Sequence, residues 1–130
     1  MSAARVAHLA TVGSDQRPHL VPVTFALTGE QILLAIDQKL NSTTNLRRLR
    51  NIADNPRVSV LCDHYEDDWT RLWWVRADGQ AGIVRSGPQW QQHLEELAAK
   101  YDQYHQLPPN GPVIVVTVDT WTGWAFAQTQ

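Results

Sequence analysis

A chain of 130 residues, 43% of them apolar and 18% charged, has the length of a single domain, 1–130, and buries enough apolar surface to fold without disulfides or structural metal. Its formal charge of −2 gives no general attraction for nucleic acid, and no apolar run reaches membrane-spanning length. The lone cysteine, Cys62, excludes an internal disulfide and reads as an ordinary buried thiol.

The start of the chain, Met1 to Val12, has neither the charged n-region nor the cleavage site of a secretory signal, so a cytoplasmic protein is expected. Val6–Val12 then reads as a strand, closed by the Gly13-Ser14-Asp15 turn. His19–Leu27 follows as a second strand with period-two alternation. Pro22 has no N–H for a ladder bond and marks an edge or bulge, where backbone groups stand free for a ligand or merely face solvent.

Gln31–Ile36 is a third strand, and a polar loop after it leads into a helix capped at Ser42 or Thr43. Leu46, Leu49, Ile52 and Ala53 give that helix one apolar face. Its N-terminus, with hydroxyls and the nearby Lys39, has the character of an anion site, or of a capped surface helix with solvated arginines. Lys39, Arg47, Arg48, Arg50 and Arg57 form a local basic patch.

Asn55-Pro56 ends the helix, Arg57–Asp63 is a fourth strand, and His64–Thr70 is an acidic loop. Arg71–Val84 reads as one long strand bent around Asp78-Gly79. A second helix begins at Pro88 with Trp90, Leu94, Leu97, Ala98 and Tyr101 on one face. Val113–Val118 is apolar on both faces and therefore a strand buried on both sides. The last motif is Trp121-Thr122-Gly123-Trp124. Short turns between the early strands favour an antiparallel sheet curled into a barrel or sandwich, a mainly β (α+β) chain with flanking helices.

No catalytic triad, paired-histidine helix motif or glycine-rich phosphate loop is present, so no residue is assigned a catalytic role from motif alone. Asp63, Glu66, Asp67 and Asp68 read as a solvated loop, and the five histidines are scattered without ligand spacing; no metal site is assigned.

Four stretches, Ala10-Thr11-Val12, Pro18–Val23, Lys39–Arg50 and Asn55–Ser59, together resemble the pyridoxamine-phosphate-oxidase-like split barrels. Asp63–Trp69, Leu72–Gly79 and Trp121–Trp124 are similar to the actinobacterial branch that uses the deazaflavin coenzyme F420. The resemblance runs from Arg5 to Ala125. It implies a six-stranded antiparallel split β-barrel of the FMN-binding type, a homodimer with a cofactor groove shared between two chains, and an oxidoreductase acting on a small-molecule substrate.

Carried over by position, Val21, Pro22, Val23 and Thr24 lie along the cofactor ring, and Lys39, Asn41, Ser42 and Thr43 meet its phosphate end. Trp74 and Trp124 are the candidates to wall the ring or substrate; apart from the resemblance, Arg71 or Arg76 is a candidate to stabilise charge on the acceptor, or simply an exposed strand arginine. Asn41 departs from the pattern, since many relatives have a second basic residue there. The alternatives to F420 are FMN in the same barrel and a carrier or sensor of flavin, deazaflavin or haem without turnover.

Overall fold

A computed structural model of the chain describes residues 1, 3–36, 43–106 and 111–126, and of 43–46 the backbone alone. The strands are β1 Ala7–Val12, β2 Pro18–Val23, β3 Phe25–Thr28, β4 Gln31–Ala35, β5 Arg57–His64, β6 Trp73–Val84 and β7 Val113–Ala125. Helix α1, Thr43–Asp54, lies between β4 and β5; α2, Pro88–Lys100, and the short α3, Gln103–Gln106, lie between β6 and β7. All pairs are antiparallel, in the order β2-β1-β5-β6-β7-β4-β3.

That order places β2 and β3 at opposite ends of the sheet, yet only Thr24 separates Val23 from Phe25. One residue spans at most about 7 Å between its neighbours, so the two ends meet there and the sheet closes into a barrel. The sequence reads His19–Leu27 as one strand of six; the structure breaks it at Thr24 into two of seven. The break is what lets a single segment leave one edge and complete the other.

Inside the barrel, Ala7 and Leu9 of β1, Val23, Phe25, Ile32, Leu34, Val58, Val60, Cys62, Ala77, Ile114 and Val116 form the main core. Cys62 is fully buried and unpaired, and burial raises its thiol pKa. Helix α1 plugs one end with Leu49 and Ile52. Ala53, expected on that face, is exposed; Arg48 and Asn51 are buried instead. Asn51 explains the rotation, since its Nδ2 donates to Thr11 Oγ1 at 3.1 Å and its side chain lies over Gly13, where an added Cβ would come within 2.4 Å of Asn51 Oδ1.

A second, smaller core lies on the outer face of β3, β4 and β7, where Ala26, Leu33, Val113 and Val115 are covered by α2 through Leu97, Leu94 and Trp90. The two cores account for the apolar run at the start of β7. The end of α2 clasps the barrel corner. Tyr101 Oη accepts from Phe25 N–H at 3.1 Å and lies 3.1 Å from Phe25 O and 2.9 Å from Arg5 O. The Lys100 ammonium sits 3.6 Å from the Phe25 ring centroid, and burial lowers its pKa.

β7 runs seven residues past Val118, because the first half of β6 takes the Trp121–Trp124 segment as its partner. Between the two halves the register shifts: Asp78 pairs with Thr120 but Gly79 with Val118, leaving Asp119 as the extra residue of a bulge. Gly79 is required at this point, since a Cβ would lie 2.2 Å from Thr117 O. The bulge reverses the parity of β7, so Trp124 points outward beside Trp74 rather than inward with Val116 and Val118. Arg71 falls outside β6, in a 3-10 turn over Trp69–Arg71. Asp68 caps that turn by accepting from Thr70 N–H and Oγ1, bonds that hold its carboxyl below the usual range.

Tyr101→Phe is expected to lower the urea midpoint with an unchanged slope, a loss of about 1–3 kcal/mol, because it leaves the buried Phe25 N–H without its acceptor. Gly79→Ala is expected to destabilise by at least as much in the same measurement, the bulge having no room for a methyl group.

Candidate functional site

The outer face of β2, β1, β5, β6 and the second half of β7 is built by register. Pro22, His8, Leu61, Arg76 and Thr122 form one row across five strands. Leu20, Ala10, Ser59, Asp78 and Thr120 form the next, and Asp63, Trp74 and Trp124 flank the first on its other side. Large apolar side chains stand open here, with Leu20 67% and Trp124 39% exposed. A face of this kind on an antiparallel sheet is ordinarily polar.

Trp74 and Trp124 are direct cross-strand partners and wall a cavity of about 440 Å³ together with Leu61, His64, Tyr65, Leu72, Trp73 and Arg76. The same three tryptophans bound a second cavity of about 660 Å³ on their far side, beside Val75, Gly123 and Ala125. Arg76 is held in place: its Nε donates to Asp78 Oδ2 at 3.1 Å, and Asp78 Oδ1 accepts from Ser59 Oγ at 2.6 Å. Arg71 is not in the cavity wall; it pairs with Glu66 at 3.3 Å from the 3-10 turn.

Of the ring-contact segment, Val21 and Val23 turn into the barrel core, and Pro22 alone among the three presents its side chain on the open face. Thr24, at the corner, bonds through Oγ1 to Tyr104 Oη at 2.6 Å and borders a cavity of about 490 Å³ with Arg5, Val6 and Tyr101. Pro22 and Arg76 share a row but stand three strand spacings apart, about 14 Å at the usual inter-strand distance. Within one chain the ring segment and the tryptophan wall are therefore separate.

Lys39, Asn41 and Ser42 lie outside the described residues, and Thr43 opens α1. The charge around that helix start is nevertheless legible at His19, on β2. Its imidazole pKa is lowered, by burial first and then by the guanidinium groups of Arg47 and Arg48. Arg47 is also paired with Asp15 at 2.8 Å. The beginning of β2 and the first turns of α1 thus form the positive end of the barrel. Among the described residues there is no cluster of three potential metal ligands.

Sequence reasoning passed over His64, Tyr65 and Trp73, which line the tryptophan cavity with Trp74. The signal was the pairing of His64-x-Glu66 with the doubled tryptophan at the two ends of one hairpin; it was masked by the acidic residues between them.

A base with a lowered folded pKa binds its proton more readily once unfolded, so it contributes stability above the unfolded value, and that contribution is lost as pH falls. His19→Gln is accordingly expected to lose less stability than wild type between pH 7 and pH 5, as read by urea unfolding at each pH.

The family profile described as pyridoxamine 5′-phosphate oxidase matches residues 1–125. No curated protein matches the sequence. Among solved structures, the conserved hypothetical protein Rv2991 of Mycobacterium tuberculosis superposes with a TM-score of 0.72 at 25% identity, covering 96% of this chain and 79% of that one. The haem storage protein HutZ of Vibrio cholerae gives 0.71 at 20% identity over 93% of this chain and 85% of its own. An FAD-binding protein of Mesorhizobium loti gives 0.72 at 18% identity over 94% and 86%. The closed seven-stranded barrel and the near-complete profile match together establish that this chain belongs to the pyridoxamine 5′-phosphate oxidase family.

Proposed function

We propose that two copies of this chain pair through the open sheet face and hold the deazaflavin coenzyme F420, with the tryptophan cavity taking a small organic acceptor. The observation that carries this is the open face itself: a mixed surface on which Leu20, Leu61 and Trp124 stand uncovered within the chain, with paired tryptophans and a fixed arginine on it. A second copy laid over it would bury Leu20 and Leu61 and carry one chain's tryptophans toward the other chain's Pro22, closing the separation described above.

The fit to an acidic coenzyme rests on the positive end of the barrel, where Arg47 and Arg48 already lower the pKa of His19. Lys39, Asn41, Ser42 and Thr43 would hold the phosphate end by charge and by the free amides of the helix start. Pro22, with the backbone of Val21, Val23 and Thr24, would lie against the ring, and Trp74 and Trp124 would wall it or the acceptor. When bound in its reduced form the coenzyme supplies a hydride. The chain's part is to orient the two partners, exclude water and place Arg76 where negative charge develops on the acceptor. The work is that of an F420-dependent oxidoreductase, with no covalent catalysis required of the protein.

The fold neighbours that are an FAD-binding protein and a haem storage protein supply the second reading. In it the same cleft takes FMN as an oxidoreductase, or carries flavin, deazaflavin or haem without turnover. Titration of the purified protein with deazaflavin, FMN and haem decides between them. Tight deazaflavin binding with acceptor-dependent oxidation of the reduced coenzyme is the expected result; preference for FMN or haem overturns the F420 assignment. Lys39→Ala is expected to weaken deazaflavin binding by roughly 1.5–3 kcal/mol, tenfold or more, through loss of a charge-assisted contact. In sedimentation velocity the wild type is expected to run as a dimer and Leu61→Arg as a folded monomer, since an unpaired charge would be buried at the centre of the interface.

A further inference from the structure

The cavity at the barrel corner differs in chemistry from the tryptophan wall. Its volume is about 490 Å³, with Arg5, Val6, Thr24, Tyr101, Asp102 and Tyr104 in its wall. Arg5 is fixed there: its guanidinium lies over the Tyr101 ring, 5.5 Å from the centroid, and Nη1 donates to Lys100 O at 2.8 Å. Its other N–H groups have no acceptor among the described residues. Thr24 Oγ1 and Tyr104 Oη share one hydrogen bond of 2.6 Å, so one of the two hydroxyl protons is left to donate elsewhere. Thr24 and Tyr104 are half-buried, whereas Asp102 is exposed and unpaired with Arg5. The cavity thus offers a held positive charge and a spare O–H donor beside Thr24.

We propose that Arg5, with the Thr24–Tyr104 hydroxyl pair, binds the ionised 8-hydroxyl of the deazaflavin ring and so makes the cleft prefer this coenzyme to FMN; the proposal rests on the F420 reading above. Thr24 ends the segment assigned to the ring, about 7 Å along the chain from Pro22, so a tricyclic ring laid on Pro22 reaches the mouth of this cavity. The deazaflavin carries a hydroxyl where FMN carries a methyl group. Conjugation with the ring carbonyl makes that hydroxyl acidic, and its anion is matched by a guanidinium and an O–H donor. A methyl group in the same place would strip water from Arg5 without replacing it, so FMN is penalised rather than merely not favoured. The pyrimidine edge at the other end of either ring sets an N–H between two carbonyls and would turn that donor toward the guanidinium. The titratable groups about the site are Arg5, the Lys100 ammonium and Tyr101 phenol at the end of α2, exposed Asp102 after it, and Tyr104 and exposed His105 of α3. Arg5 favours the anion and Asp102 opposes it.

The first test is spectroscopic and needs no turnover. The visible absorption of F420 changes when the 8-hydroxyl ionises, so the bound coenzyme reports its own protonation state. Bound to wild type it is expected to keep the anion spectrum to about one pH unit below the free coenzyme, because a neighbouring cation favours the charged form. Arg5→Gln is expected to abolish that displacement, and Arg5→Lys, which keeps the charge, to retain part of it.

The second test compares the 5′-phosphates of 8-hydroxy-5-deazariboflavin and of 5-deazariboflavin, which differ only on the benzenoid ring. Wild type is expected to bind the hydroxylated compound at least about tenfold more tightly, Arg5→Gln to bind both alike, and Tyr104→Phe to lose part of the preference. Bound F420 that ionises like the free coenzyme, or a preference that survives Arg5→Gln, overturns the role of Arg5 and leaves the reductase reading standing. An equal loss for both phosphates in Arg5→Gln assigns the cavity to a part of the ring common to both, and overturns the hydroxyl assignment. A wild type that binds neither F420 nor either phosphate overturns the reading of the cleft, and the role of Arg5 falls with it.

Discussion

The barrel depends on a corner one residue long. Val23 ends the strand at one edge of the sheet and Phe25 begins the strand at the other, so the chain must hold two edges together where its own ladder is interrupted. An interrupted ladder leaves backbone groups without partners, and buried ones are costly. The chain answers with a side chain from another part of the fold: the Tyr101 hydroxyl meets both backbone groups of Phe25 and also the Arg5 carbonyl just before β1. Lys100, one residue earlier, lies on the Phe25 ring. A helix that covers only the smaller core thereby secures the closure around the larger one.

Much of this architecture was legible in the chain order of its apolar residues. Alternation placed the early strands, and the doubly apolar Val113–Val118 stretch announced a strand between two cores. The bend at Asp78-Gly79 was equally visible, because glycine in a long strand signals a close backbone approach. What escaped was set by contacts distant in sequence. Nothing local to His19–Leu27 says that Thr24 must break it, since the break is imposed by where the sheet ends meet. The inward face of α1 likewise follows from Asn51 reaching Thr11 rather than from the helix's own hydrophobic stripe. The 3-10 turn at Arg71 follows from Asp68, whose capping bonds stop β6 from starting earlier.

The site divides along the same line. Family resemblance singles out Trp74 and Trp124, and cross-strand register places them side by side in the fold. His64 and Tyr65, which complete their cavity, lie in one of the resembling stretches, but their place beside the tryptophans becomes visible only when β5 and β6 are paired. The charged end and the aromatic wall do different physical work. Charge acts over a distance comparable to the Debye length of about 8–10 Å, so the cations near α1 bear on His19 without touching an occupant of the wall. The indoles act only at contact.

The bulge at Asp119 shows how much of this surface is governed by counting. Downstream of it, Thr120, Thr122 and Trp124 look outward, a choice made not by their own polarity but by one surplus residue upstream. Relatives that gain or lose a single position between Val118 and Trp121 would present a different set of side chains to the cleft while keeping every residue type intact. Chain length between Val118 and Trp121 therefore decides which side chains this face shows, independently of the residue types that follow.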